Sequence, residues 1–253
     1  MGVESKKTLP LRLKDLSFSY ENKEAIKGLS LDVQSGALIA LLGPNGSGKS
    51  TALKVASGIL EPSSGEVLLW GKPITSFKGQ ERAKLISYMP QNLPSALPFT
   101  VTELSQMGRY PYGKSTQNQG QSLSILSALK TVGLLEKANT PVAELSGGEK
   151  RRVFIALALV QGSGTLLLDE PLANLDIKYQ LELIKLLKGI TAKGEASVVM
   201  ALHDITTALS FDYVFVMKDG LLYAEGTPHE TITKKLLREV FEVEAKELLL
   251  PVL

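Results

Sequence analysis

Residues 37–50 read ALIALLGPNGSGKS, an apolar run that ends in a glycine-rich loop. The run at 37–42 predicts a strand that is buried on both faces. Residues 43–50 match the pattern G-x-x-x-x-G-K-[ST] in full, and a helix is expected to follow from Lys49. Glycines let the backbone wrap a phosphate group, and the helix N-terminus adds a positive dipole. This strand–loop–helix order predicts a nucleotide phosphate site.

The residues of this loop have separate expected tasks. Lys49 is expected to reach the β- and γ-phosphates of a nucleoside triphosphate, and the Ser50 hydroxyl is expected to bind Mg²⁺. Backbone N–H groups are expected to supply further phosphate contacts. The candidate nucleotide-binding residues are Gly43, Pro44, Asn45, Gly46, Ser47, Gly48, Lys49, Ser50 and Thr51.

Further apolar segments on both sides of the loop predict a sheet. Residues 11–20 and 29–33 alternate apolar and polar side chains, which indicates half-buried strands. Apolar runs predict buried strands at 85–89, 165–168, 197–202 and 213–217, and helical patterns lie at 179–188 and 205–210. Strands that alternate with helices predict a mostly parallel α/β sheet.

The middle of the chain has a different pattern. Residues 98–145 are mostly helical in periodicity and include a Gly/Ser/Gln-rich patch at 113–122. We interpret residues 98–145 as a helical subdomain that is inserted into one domain spanning residues 1–253. The sequence shows neither an internal repeat nor a long linker that would divide the chain.

Composition excludes several classes of function. The formal net charge is +2, which gives no argument for a nucleic-acid partner. The absence of cysteine excludes disulfides and thiolate metal sites and favours a cytosolic location. The apolar runs fall short of the ~20 residues that a spanning helix needs, and the N-terminus has no signal-peptide pattern. A membrane role would therefore require docking onto a separate membrane protein.

Two acidic residues follow the apolar run at 165–168. Asp169 and Glu170 would lie at the carboxyl edge of the sheet, where ligands bind in such folds. Asp169 is expected to hold Mg²⁺ directly or through water, and Glu170 to polarise the attacking water as general base. A solvated acidic turn is the alternative for this segment alone. Beside a phosphate loop, a catalytic pair is the favoured interpretation.

Residues 145–149, LSGGE, resemble the LSGGQ signature of ABC ATPases. A Ser-Gly-Gly at a helix start is also an ordinary N-cap, and Ser146 can serve both purposes. The other motifs of this family occur in their usual order along about residues 11–245. They are Tyr20 as the aromatic that stacks on adenine, Gln91 of the Q-loop, Asn174-Leu175-Asp176 of the D-loop and His203 as the switch histidine.

The resemblance implies an ATPase with a P-loop NTPase core, antiparallel N-terminal strands and an inserted helical subdomain. Two identical subunits would pair head to tail and hold ATP between the phosphate loop of one and the signature of the other. ATP and Mg²⁺ are the implied cofactors. The residues that the resemblance adds to the site are Ser146, Gly147, Gly148, Glu149 and Asp176 toward the nucleotide, His203 and Gln91 toward catalysis, and Gln91 also toward Mg²⁺.

The same resemblance implies the partners and the location. They are separate transmembrane permease subunits and a solute-binding protein, with this chain peripheral at the cytoplasmic face of the cell membrane. Two departures from the family pattern are modest. The D-loop segment 171–176, PLANLD, lacks the common Ser-Ala, and Leu157 stands where many members have arginine. Both leave the phosphate, metal and base positions intact, so a competent ATPase is expected.

Residues 107–112, MGRYPY, resemble a stretch of the ATPases that serve iron-siderophore, haem and cobalamin permeases. Residues 175–177, 180–183 and 225–228 resemble the same subgroup. A surface turn punctuated by Pro111 is the alternative for the first stretch. Arg109 and its aromatic neighbours predict a docking surface for the permease.

Three functions stay open at this point. The chain can serve an importer, an exporter with separate permeases, or a soluble process without transport. Repair members of the family carry a long coiled coil, and translation members usually carry two cassettes; this chain shows neither. An importer of an iron chelate, haem or cobalamin is the favoured function.

Overall fold

The structure, a computed structural model, describes residues 8–21, 23–94, 97–113 and 123–244. The strands are β1 Leu11–Tyr20, β2 Lys23–Val33, β3 Leu38–Leu42, β4 Ser64–Leu69, β5 Lys72–Pro73, β6 Ile86–Met89, β7 Thr165–Asp169, β8 Ser197–Leu202, β9 Tyr213–Lys218 and β10 Leu221–Gly226. The helices are α1 Lys49–Ala56, α2 Gly79–Ala83, α3 Val101–Gln106, α4 Ile125–Thr131, α5 Gly147–Gln161, α6 Ile177–Ala192, α7 Ile205–Ala208, α8 Pro228–Thr231 and α9 Lys234–Phe241. Short 3₁₀ turns cover Ile74–Ser76, Met107–Tyr112, Leu135–Lys137 and Val142–Glu144.

The larger sheet has the strand order β10-β9-β3-β8-β7-β6. Five neighbouring strands run parallel, and β10 pairs antiparallel to β9 at the edge. Strands β3, β7 and β8 are buried at every residue, as their apolar sequences predict. Because the parallel strands point the same way, the segments that follow β3, β6, β7 and β8 meet at one edge. The mostly parallel α/β sheet is confirmed.

Two hydrophobic cores lie on opposite faces of this sheet. Alternate residues of β3 divide between them: Leu38, Ala40 and Leu42 pack with α5 and α6, and Ile39 and Leu41 pack with α1 and the antiparallel strands. Burying a leucine or isoleucine side chain contributes roughly 1.5–3 kcal/mol. The strand that leads into the glycine-rich loop is therefore anchored from both sides.

The smaller sheet, in the order β2-β1-β4-β5, is antiparallel. Strand β1 has the bounds predicted from its alternating pattern, whereas β2 begins at Lys23 instead of Leu29. Strands β4 and β5 were not predicted; the first half of β4 is exposed and carries no apolar alternation. This sheet places Tyr20, the last residue of β1, beside the glycine-rich loop.

The segment 98–145 contains α3, α4 and three of the 3₁₀ turns. Its two ends pair, since Val142 N donates to Phe99 O at 2.9 Å and Val101 N donates to Thr140 O at 3.1 Å. Helix α5 packs on α3 and α4 and joins them to the core of the larger sheet. Residues 114–122, most of the predicted polar patch, lie outside the described residues. The boundaries 98–145, within a single domain, stay a prediction.

The remaining differences are small. Helix α6 extends beyond the predicted 179–188 at both ends, and α7 ends at Ala208, two residues before the predicted 210. Within the described ranges, none of the helices combines the length and the hydropathy that a bilayer span requires.

Candidate nucleotide-binding site

Glycines shape the loop between β3 and α1. A Cβ atom on Gly43 would lie 2.4 Å from Met217 O. Gly48 has a φ of 102°, and a Cβ atom there would lie 2.7 Å from Ala25 O. Side chains other than hydrogen do not fit at either position without backbone movement. The loop is therefore held close against β9 on one side and β2 on the other.

The loop presents donors that the protein itself does not use. The N–H groups of Gly46, Gly48 and Lys49 donate to no acceptor in the described part of the chain. The buried Ser47 hydroxyl also has no partner there. Folded proteins pair almost all such groups, so an unpaired set at a helix N-terminus indicates an anion site. The loop fits a phosphate group.

Lys49 is folded back onto the loop. Its Nζ donates to Gly43 O at 2.8 Å and to Pro44 O at 3.0 Å, and only 5% of the residue is exposed. Burial lowers the pKa of Lys49, whereas the carboxylates of Glu170 and Asp169 act in the opposite direction. A phosphate oxygen at this position would supply the negative partner that the two carbonyl groups replace.

Asp169 is buried at the end of β7 and bonded to two hydroxyl groups. Ser50 Oγ donates to its Oδ1 at 2.8 Å, and the Tyr88 hydroxyl donates to its Oδ2 at 3.0 Å. Burial, and then the charge of Asp169, raises the pKa of Tyr88, so the hydroxyl remains a donor. Both of these hydrogen-bond partners are neutral, and a buried carboxylate gains from a cation bound directly to it. Carboxylate and hydroxyl oxygens are ligands that suit Mg²⁺.

Glu170 brings together residues from three strand ends. It has a φ of 46°, in the left-handed region, which costs about 1–3 kcal/mol and recurs at active sites. Gln91 Nε2 donates to its Oε2 at 2.8 Å. His203 Nδ1 lies 3.8 Å from the same oxygen. All three residues predicted to be catalytic therefore meet around one carboxylate.

An open cavity of about 430 Å³ lies beside the loop. The predicted site residues that line it are Tyr20, Asn45, Gly46, Gly48, Lys49, Ser50, Thr51 and Glu170. The Tyr20 ring is half-exposed and packs edge-on against Phe18, with the ring centroids 4.8 Å apart. Gly43, Pro44 and Ser47 belong to the loop without lining the cavity. The size is ordinary for a small-molecule site.

Several lining residues were missed in the sequence. Asp219 and Gly220 form the two-residue turn between β9 and β10, with φ angles of 50° and 82°. Gly220 N donates to Ser47 O at 3.1 Å, and Lys27 N donates to Gly220 O at 2.9 Å. The signal was available, because Asp-Gly between apolar runs favours a tight hairpin. Lys23 also lines the cavity, and its position carries no comparable sequence signal.

The predicted signature lies elsewhere in the chain, at the start of α5. Ser146 Oγ accepts from Glu149 N at 3.3 Å, and Glu149 Oε2 accepts from Ser146 N at 3.0 Å. These two bonds form a capping box. Ser146, Gly147, Gly148, Glu149 and Asp176 do not line the cavity. Within one chain, the structure does not bring the signature or Asp176 to the phosphate loop.

The start of α5 is also tied to the D-loop segment 171–176. Arg151 Nη2 donates to Ala173 O at 2.7 Å. Gln180 Nε2, on α6, donates to Leu175 O at 2.9 Å. Asp176 occupies the N-cap position of α6 without a side-chain capping bond. The signature and the D-loop therefore form one connected surface.

The phosphate loop, the acidic strand end and the separate, capped signature together define a nucleotide-hydrolysing cassette. The model of the ABC transporter family matches residues 26–173, and the chain belongs to this family. The iron(3+)-hydroxamate import ATP-binding protein FhuC of Bacillus subtilis is 36% identical over 93% of this chain and 89% of FhuC. The hemin import ATP-binding protein HmuV of Rhizobium meliloti is 37% identical over 91% of this chain and 90% of HmuV.

A solved structure agrees with this assignment. The dimeric structure of MJ0796, a bacterial ABC transporter cassette, matches with a TM-score of 0.72 at 28% identity, over 86% of this chain and 98% of that chain. The predicted family, the P-loop NTPase fold and the ATPase activity are confirmed. The protein is an ATP-binding and ATP-hydrolysing subunit of an ABC transporter.

Proposed function

We propose that this chain powers the import of iron held in an organic chelate, either a ferric siderophore or haem. The observation that carries the proposal is the pair of relatives named above, which share more than a third of their residues over nine tenths of this chain. The MGRYPY stretch at 107–112 supports the same subgroup. An exporter or a soluble process has no comparable support.

In the proposed mechanism the cavity holds ATP in an extended form. The base stacks on Tyr20, and the phosphates lie in the loop, where Lys49 exchanges its carbonyl partners for phosphate oxygens. Ser50, Asp169 and the Gln91 amide oxygen would hold Mg²⁺, which supplies positive charge to the phosphates. The unpaired loop N–H groups hold the same negative charge from the other side.

Glu170 acts as general base in this proposal. The carboxylate is held by Gln91, and His203 lies within reach of the same oxygen. A fixed carboxylate can orient a water molecule and accept its proton as the water attacks the γ-phosphate. His203, whose side chain is 58% exposed, is placed to contact the γ-phosphate.

The second half of the site comes from another copy of the chain. Ser146, Gly147, Gly148, Glu149 and Asp176 lie on a surface apart from the cavity of their own chain. Pairing head to tail would place this surface over the phosphate loop of the second copy. The positive end of α5 would then face the triphosphate. Hydrolysis therefore depends on two copies, and closure of the pair can do work on the membrane subunits.

The permease docks, we propose, in a groove that α5 forms with β6, α2 and the segment after α1. The groove has a volume of about 310 Å³ and is lined by Ile59, Arg82, Met89, Phe154 and Leu157, among others. Leu157, where many family members have arginine, lines this groove and not the nucleotide cavity. The departure therefore alters the docking surface and leaves the ATP site unchanged.

The adjacent 3₁₀ turn Met107–Tyr112 supplies a second part of this surface. A Cβ atom on Gly108 would lie 2.3 Å from Leu157 O, so the turn packs tightly on α5. Tyr110 is 78% exposed. Tyrosine and arginine are favoured anchors of interfaces. Arg109 and Tyr110 are therefore positioned next to the groove for contact with a permease.

Arg109→Glu tests this surface. The reversed charge is expected to weaken assembly with the permease by about tenfold or more, since anchor residues contribute about 2 kcal/mol or more. ATP binding by the isolated subunit should not change, because Arg109 does not line the cavity. Co-purification with the permease measures assembly. Lys193→Glu, an equal charge reversal at the exposed end of α6, is the control. Assembly that matches the control contradicts this docking surface.

Reconstitution in liposomes tests the transported substrate. The subunit, its permease and a solute-binding protein are combined, and uptake of labelled ferric siderophore, haem and cobalamin is measured. ATP-dependent uptake of one of the first two is expected, and a Glu170→Gln subunit should abolish it. Uptake of cobalamin, an amino acid, a sugar or an inorganic anion instead would contradict the substrate proposal and leave the ATPase assignment intact. Efflux would identify an exporter.

A further inference from the structure

We propose that Lys137 is a positioning residue for ATP hydrolysis, which neutralises Glu149 so that the signature can face the triphosphate of a second copy. Lys137 lies outside every motif identified in the sequence, ten residues before the signature helix begins at Gly147. The proposal rests on the proposed two-copy site. It adds a residue whose positive charge compensates the glutamate of this signature.

The problem arises from the charge of Glu149. In the proposed pair, the first turn of α5 faces a nucleotide with several negative charges. A carboxylate in that turn repels the phosphates and opposes the positive end of the helix, which otherwise attracts them. The family signature that this segment resembles carries a neutral glutamine at the same position. A cation beside the glutamate would offset this repulsion.

The structure supplies that cation at close range. Lys137 Nζ lies 2.5 Å from Glu149 Oε1. The other oxygen, Oε2, accepts from the N–H and the hydroxyl of Ser146 at 3.0 Å each. Both oxygens are therefore directed toward their own chain. About a quarter of the Glu149 side chain is exposed, so the pair is partly shielded from solvent.

Backbone hydrogen bonds fix the position of Lys137 in the chain. It ends the 3₁₀ turn Leu135–Lys137, where Lys137 N donates to Leu134 O at 3.0 Å. Its carbonyl accepts from Thr140 N at 2.9 Å. The bond from Lys137, first among several causes, lowers the pKa of Glu149, so the carboxylate stays ionised at neutral pH. The negative charge is thus cancelled by an ion pair and not removed by protonation.

An exposed ion pair can also serve only to stabilise a helix, so the test must separate the two roles. The Glu170→Gln background is used, because loss of the base should trap ATP between two copies. Three variants are made in it: Lys137→Met, Lys137→Met with Glu149→Gln, and Lys130→Met as the control. Lys130 is exposed on α4, in the same segment, and makes no ion pair among the residues described.

Sedimentation with ATP and Mg²⁺ measures the dissociation constant of the dimer. Loss of one exposed pair is worth up to about fivefold, and each dimer contains two sites, so Lys137→Met should weaken dimerisation by up to about 25-fold. The deficit should shrink at high salt. Adding Glu149→Gln should restore dimerisation to within about threefold of the parent, because it removes the charge that Lys137 compensates. ATP affinity of the single chain should stay constant throughout.

The outcomes distinguish the role of Lys137 from the two-copy site on which it depends. Dimerisation of Lys137→Met that equals the Lys130→Met control, or a deficit that Glu149→Gln does not restore, overturns the role of Lys137 and leaves the two-copy site intact. A parent that does not dimerise with ATP overturns the two-copy site itself. If Lys137→Met lowers the melting temperature more than the control does, Lys137→Gln and the charge-conserving Lys137→Arg repeat the measurement, with only the latter expected to match the parent.

Discussion

In the proposed pair, the phosphate loop of one copy and the signature of the other form one catalytic site, and the chain builds these two regions differently. Around the loop, side chains from separate strands already bond to one another: Ser50 with Asp169, and Gln91 with Glu170. At the signature, the side chains of Ser146 and Glu149 bond to each other's backbone N–H groups, and Lys137 bonds to Glu149. The first region is an assembled pocket, and the second is a capped helix start on a surface.

This difference separates binding from hydrolysis. In the proposed mechanism, the cavity beside the loop holds the nucleotide within one chain, with Tyr20, Lys49 and Ser50 in its lining. In the proposed pair, the signature lies apart from the cavity of its own chain and adds charge stabilisation to the nucleotide of the second chain. A single copy should therefore bind ATP and turn it over poorly, and turnover should rise steeply with protein concentration.

The largest effect is expected from a substitution beside the phosphate loop, at the proposed catalytic base Glu170. Glu170→Gln keeps the bond with Gln91 geometrically possible but removes the base, so turnover should fall by about 10²–10⁴-fold. ATP binding should be retained, and the trapped nucleotide should accumulate a dimer. Phosphate release and size-exclusion chromatography with ATP and Mg²⁺ measure both. Near-normal phosphate release would remove Glu170 from its proposed role.

The next largest effect is expected where the adenine base of ATP would stack, at Tyr20 in the same pocket. Tyr20→Ala should weaken ATP binding by about 1–3 kcal/mol, the range for stacking of a base on an aromatic ring. Tyr20→Phe should be nearly silent, because it keeps both the ring and its edge contact with Phe18. Titration of ATP and thermal melting are measured on both variants. A lower melting temperature for Tyr20→Ala with unchanged ATP affinity would show that the ring only packs against Phe18.

The smallest effect is expected at the signature, from the loss of the N-cap residue Ser146. Ser146→Ala removes the N-cap of α5 and should cost about 1 kcal/mol of stability. Ser124→Ala is a matched control, since Ser124 caps α4 in the same way and accepts from Ser127 N at 3.1 Å. Both variants should lose similar stability and keep ATP affinity. Only Ser146→Ala should lose turnover, and equal turnover in the two would confine Ser146 to capping.

The sequence predicts well what depends on local pattern. Strands β1 and β8 begin and end at the predicted residues, because their apolar patterns are continuous. The loop after β3 follows from its glycines and lysine. Strand β10 was missed because it is an edge strand whose residues alternate between exposed and half-buried positions. The bond from Tyr88 to Asp169 was not predictable either, since it depends on which strands become neighbours.

The placement of the signature marks a different limit. The motif predicts site residues that do not line the cavity of their own chain. Whether Ser146 or Asp176 contacts a nucleotide can therefore be tested only in a pair of chains. The partner of Glu149 shows the same limit on a smaller scale. Nothing in the sequence near Lys137 signals an ion pair, because the contact depends on how the turn Leu135–Lys137 folds against α5.

The hairpin turn at Asp219-Gly220 contains an amide proton whose hydrogen exchange reports on the wall of the cavity. The amide proton of Gly220 is bonded to the carbonyl of Ser47 in the phosphate loop, and the Gly220 carbonyl accepts from Lys27 in the antiparallel sheet. Hydrogen exchange of that one proton requires the loop and the hairpin to separate. Its exchange rate, followed with and without nucleotide, reports the opening of the pocket without a label or a mutation.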